Sequence, residues 1–141
     1  KRLMELGVRA SDLCILVSGM WGARRNGIHA LLDSELGWRG QPQIVYHDAS
    51  NTKGLEYVGQ TRRGTPVFVN RLLIDSENVI LCGRIDHHSY AGYAGGPSAI
   101  VPDCAGRETI VRNLSLILDP VSPRIHPRCY DGVIEGKPLQ E

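Results

Sequence analysis

The stretch IDHHSYAGYAGGPSAIVP, residues 85–102, sets adjacent His87 and His88 beside Tyr90, Tyr93 and a glycine pair, Gly95 and Gly96. An imidazole titrates near neutral pH, so a histidine here has the chemistry of a general base. The glycines let backbone amides approach an anion closely. A plainer reading stands beside this one: tyrosines three residues apart pack against each other more often than against a substrate. The loop also lacks the Lys-Ser/Thr pair of a P-loop and does not match G-x-G-x-x-G. Of the other histidines, His47 beside Asp48 reads as a strand-end residue holding a turn. His126, among the tail prolines, reads as a surface residue.

Three short apolar runs are predicted to be buried strands that carry such loops at their carboxyl ends: DLCILVS (12–18), PQIVYH (42–47) and NVILCGR (78–84). Helices are predicted over 27–36, 70–76 and 106–118, the last with Ile110, Leu114, Ile117 and Leu118 on one face. LEYVGQTRRGTPVFVN (55–70) reads as a β-hairpin turning at Gly64. The expected architecture is therefore α/β, a mostly parallel sheet with flanking helices and a β-hairpin insertion. Ligands of such sheets sit in the crevice at the strands' carboxyl ends. SGMWGARRN, HDASN and RIDHHSYAGYAGG would converge there. Residues 1–120 read as the α/β domain, with a start that looks truncated at KRLMELGV. Residues 121–141, rich in proline, read as a tail or linker toward a further C-terminal domain.

Composition narrows the function classes. The chain has 141 residues, and 16 basic residues against 15 acidic ones leave a net charge of +1. That provides no field for nucleic acid or an anionic membrane, and no patch makes up for it. No apolar run is long enough to span a bilayer. Cys14, Cys82, Cys104 and Cys129 stand singly without a C-x-x-C pair, so spacing predicts no metal site. A reduced, cytoplasmic chain is the simplest reading, with Cys14 and Cys82 buried in their apolar runs.

The order of YHDASN, VGQTRRGTPVFVN, IDHHSYAGYAGGPSAIVPDCAGRETI and DGVIEGKPLQE resembles the N-terminal domain of the nickel-dependent lactate racemase family, almost without gaps from Leu13 onward. The resemblance implies two α/β domains with the site between them, and racemisation or epimerisation of a 2-hydroxy acid. The cofactor it implies is a nickel pincer nucleotide that takes the α-hydride while a histidine takes the hydroxyl proton. Matched position by position, the loop histidine is His88, the acid/base residue. Gly95, Gly96 and Ser98 fall on the cofactor side, and Trp21 and Tyr90 on the substrate side. The chain departs from the family at three places. Trp21 stands where a second catalytic histidine belongs, and His29 would be a displaced substitute only if the preceding loop is rebuilt. Ser98 replaces the lysine that tethers the cofactor, and Leu114 replaces the histidine that ligates nickel.

Three functions fit these residues. One is an isomerase of 2-hydroxy acids with an altered, untethered cofactor or a substituted base, in which Trp21, His88 and Ser98 line one cleft. Another is a non-catalytic homologue that binds a small carboxylate or a nucleotide. The third is an enzyme using His88 as a single base, with Arg84 or Arg107 clamping the anion. In each case the partner is a small molecule, together with a C-terminal domain of the same protein.

Overall fold

The computed structural model describes residues 2–18, 42–132 and 135–140. Helices and small sheets alternate along the chain, an α/β arrangement as expected. The predicted helix over 27–36, Trp21 and His29 lie outside the described residues. The chain divides into two compact units, Lys1–His47 and Asp48–Glu141.

In the first unit, helix α1 (Arg2–Glu5) and a 3-10 turn (Ala10–Asp12) lead into strand β1 (Cys14–Val17), which pairs in parallel with β2 (Gln43–Tyr46). The register sets Ile15 against Ile44 and Leu16 against Val45. Hydrogen bonds from Gln43 N to Leu13 O (3.2 Å) and from His47 N to Val17 O (2.8 Å) extend the ladder at both ends. His47 is buried at the strand end, and the turn after it closes where Asp48 Oδ1 accepts from Ser50 N at 2.9 Å. Cys14, the first residue of β1, is exposed, contrary to expectation, since apolar neighbours in sequence do not by themselves bury a side chain at a strand's start.

The second unit is built on the expected hairpin, β3 (Leu55–Gln60) against β4 (Pro66–Asn70). Gly64 makes the turn at φ +83°, a left-handed conformation that costs glycine little. Thr61 closes that turn, its carbonyl accepting from Gly64 N and its hydroxyl from Thr65 N. A bulge between Tyr57 and Gly59 shifts the register. The free edge of β4 is covered by residues 104–106: Asn70 N donates to Cys104 O and Gly106 N to Phe68 O, both at 2.9 Å. Helix α2 (Arg71–Asp75) follows at once, with the Asn70 side chain accepting from Leu72 N at 3.0 Å as its N-cap.

Helix α3 (Arg107–Ser115) leaves the covering segment at Gly106 and packs on the hairpin. A methyl group on Gly106 would stand 2.6 Å from Leu55 Cδ1 and 3.2 Å from Phe68 Cβ. The helix thus meets the hairpin closely at a glycine, where a side chain would require Leu55 and Phe68 to give way. The buried face of α3 is Thr109 and Asn113, whereas of the expected apolar stripe Ile110 and Ile117 are half-buried and Leu114 and Leu118 exposed. Polar side chains win this face because each answers a specific backbone group. Thr109 Oγ1 donates to Pro66 O at 2.8 Å and accepts from Phe68 N at 2.9 Å, and Asn113 Nδ2 donates to Leu139 O at 3.1 Å. Val69, Cys104, Ala105, Thr65 and Pro138 complete the core. Burial, helped by the neighbouring Asp103 charge, pushes the Cys104 thiol up to about 11, so it is an inert core residue.

The apolar run over 78–84 does not form a strand. It has no ladder partner among the described residues, Ile80 is 64% exposed and Cys82 is exposed too. Its composition favours a pleated conformation, but a strand exists only with a neighbour to bond. Among the described residues the parallel pairing is that of β1–β2, and the other two sheets are antiparallel.

Candidate functional site

The loop over 85–98 is itself a small hairpin, β5 (Asp86–His88) against β6 (Gly92–Ala94), with His87 opposite Tyr93 and His88 opposite Gly92. Alternation along a strand sends adjacent side chains to opposite faces, which separates the two histidines. His87 is 71% exposed in its side chain. Its ring lies 5.0 Å from that of Tyr93, and its Nδ1 stands 3.2 Å from Asp131 Oδ1 in the tail.

His88 is half-buried and faces its own turn. Its Nδ1 accepts hydrogen bonds from Tyr90 N (3.2 Å) and Ala91 N (3.1 Å). An acceptor nitrogen carries no proton, so the neutral ring bears its hydrogen on Nε2. In this arrangement His88 offers an N–H donor to whatever lies beyond Nε2. Base chemistry at Nε2 would require a proton on Nδ1 and the loss of both amide bonds. The Tyr90 ring sits edge-on to the imidazole, with centroids 6.4 Å apart.

Gly95 and Gly96 follow with φ +100° and +57° and open a 3-10 turn over Gly96–Ala99. The Ser98 hydroxyl accepts from Gly95 N at 2.8 Å and so closes this turn on itself. A methyl at residue 95 would lie 2.8 Å from Arg84 O and 3.2 Å from Ile85 Cα. Gly95→Ala is therefore expected to cost about 2 kcal/mol, part from the left-handed backbone and part from the clash. Chemical denaturation measures it, and a variant as stable as the parent would show that the turn can relax away from Arg84.

Of the two arginines considered as anion clamps, Arg84 is paired with Asp86 (Nε to Oδ2, 2.5 Å), and Arg107 is exposed at the start of α3. His126 is half-buried, with Nδ1 accepting from Arg128 N at 3.2 Å, a structural tie within the tail. An open groove of about 610 Å³ runs along Gln60, Gly64, Pro66, Glu108, Val111, Arg112 and Ser115. None of the predicted site residues lines it.

Sequence reasoning missed the tail's share in this site. Asp131, Lys137 and Gln140 reach the His87–Gly92 region from 44, 47 and 49 residues away, and no local pattern marks such contacts. Lys137 Nζ donates to Tyr90 O at 3.2 Å and also to Tyr130 O, and Gln140 Nε2 donates to Ala91 O at 2.7 Å.

The donors at this site do not suit a tethered nickel cofactor. Ser98 has no amine, and its hydroxyl is engaged within its own turn. Leu114, which lies on α3 and which the resemblance matches to the nickel-ligating histidine, has no lone pair to offer nickel, which favours imidazole and sulfur ligands. Among the described residues no three His, Cys, Asp or Glu side chains cluster as a metal site would require. No helix among them is long and apolar enough to cross a membrane.

Comparison with known proteins agrees with the motifs. The lactate racemase from Thermoanaerobacterium thermosaccharolyticum is 29% identical over 98 residues, which cover 69% of this chain and 22% of that protein. The lactate racemase from Lactiplantibacillus plantarum is 27% identical over 115 residues, 80% of this chain and 27% of that one. The solved apoprotein of the Thermoanaerobacterium enzyme superposes with a TM-score of 0.70 at 25% identity, covering 92% of this chain and 30% of that structure. The chain thus spans about a quarter of the length of these relatives. With the family model for the lactate racemase N-terminal domain matching residues 1–123, the chain belongs to that family.

Proposed function

We propose that this domain binds a 2-hydroxy acid or a related small carboxylate at the His88 turn, without a tethered nickel cofactor. The observation that carries the reading is the pair of backbone amides on His88 Nδ1, which leaves Nε2–H as a donor suited to a carboxylate oxygen. The lactate racemase relatives supply the substrate class. Ser98 and Leu114 set this chain apart from a tethered-nickel enzyme. Racemase or epimerase activity with an untethered cofactor is the second reading, favoured by family membership alone.

The test separates the two nitrogens of one ring. In His88→Asn the side-chain oxygen takes the place of Nδ1 and keeps accepting from the Tyr90 and Ala91 amides, while the Nε2 donor is gone. Titration calorimetry with lactate on the full-length protein is expected to show affinity falling about tenfold or more, the equivalent of one charge-assisted hydrogen bond, with the thermal midpoint held. Unchanged affinity would remove His88 from the binding site.

A further inference from the structure

We propose that Lys137 is a positioning residue for His88, acting through a single peptide group. Lys137 is 4% exposed, and an ammonium is rarely buried that deeply without partners. Its partners here are the carbonyls of Tyr90 and Tyr130 and the face of the Tyr130 ring, whose centroid is 5.1 Å away. The Tyr90 carbonyl belongs to the same peptide group as the Ala91 N–H, and that N–H points at His88 Nδ1. A peptide group is planar, so holding its oxygen with Lys137 sets the direction of its N–H. The ammonium also polarises the carbonyl, which makes the N–H at the other end a stronger donor. Through this relay a tail lysine orients the imidazole and holds its proton on Nε2.

The rest of the tail supports the same turn. Gln140 Nε2 holds the next carbonyl, that of Ala91, at 2.7 Å, and Gly132 N reaches the one after it, that of Gly92, at 3.4 Å. Asn113 of α3 anchors the tail between them through Leu139 O. Three successive carbonyls of the turn are thus held from a segment 47, 49 and 40 residues away.

The proposal rests on the reading of His88 as the carboxylate donor, but its first readout does not depend on ligand. Nitrogen NMR of the full-length protein is expected to show His88 as a single tautomer protonated on Nε2. In Lys137→Met the ring is expected to sample both tautomers, and the Ala91 amide to exchange with solvent about tenfold faster. If Lys137→Met does not fold, Lys137→Gln, which lacks the charge, is read for the same changes. A His88 ring that already samples both tautomers in the parent protein overturns the proposal whatever the variants do, and so does a variant with the parent's tautomer and exchange rate. Lactate titration then separates the two readings. Loss of affinity in the lysine variant together with the tautomer change supports both, whereas the tautomer change with no lactate bound by the parent keeps the relay and removes the carboxylate function.

Discussion

Thr109→Val is expected to destabilise the domain by about 2–4 kcal/mol, although the two side chains have nearly the same shape. Thr109 is fully buried, and its hydroxyl serves two strand groups at once: it donates to Pro66 O and accepts from Phe68 N. Valine fills the space, so no cavity forms, and the whole cost comes from one acceptor and one donor left without partners where water does not reach them. Thr109→Ser keeps the hydroxyl and removes only a methyl, so it is expected to cost about 1 kcal/mol. Urea denaturation of both variants separates the two contributions. If valine costs no more than serine, water reaches β4 under the helix and Thr109 does not hold α3 to the hairpin.

The second large effect concerns nickel. Full-length protein made in cells that supply the pincer nucleotide is expected to carry nickel at a small fraction of stoichiometric. A lactate racemase family member bearing both the lysine and the histidine, made in the same cells, serves as the positive control. The argument is chemical: a serine hydroxyl already accepting from Gly95 N has no amine with which to make the tether that the resemblance assigns to a lysine, and a leucine cannot ligate a metal. Elemental analysis with mass spectrometry of the extracted nucleotide decides the matter. Near-stoichiometric nickel would mean that other donors hold the cofactor, and a racemase assay would follow. Its absence, together with lactate binding that depends on His88, would place this chain among members of the family that bind without the tethered metal.

Much of the framework could be read locally. The β3–β4 hairpin follows from two alternating runs around Gly64, and the start of α3 from the glycine at 106, because turns and helix entries depend on residues only a few positions apart. The run over 78–84 could not be read this way, since an apolar composition does not say whether a neighbouring strand is there to bond it. The face of α3 could be read only in part, for a related reason: periodicity selects leucine and isoleucine, but the most buried positions went to side chains that satisfy Pro66, Phe68 and Leu139.

The same division holds at the site. Sequence alone carried the resemblance that implies His88 as the loop histidine and Ser98 and Leu114 in place of a lysine and a histidine, and it placed the glycines of the turn. These are matters of residue identity and spacing, which a chain carries whether folded or not. Only the tertiary structure showed that His88 Nδ1 accepts from the Tyr90 and Ala91 amides, and that Lys137 holds the carbonyl of the Tyr90–Ala91 peptide group. Those properties arise where residues 88, 91 and 137 meet, and only folding brings the tail to the turn.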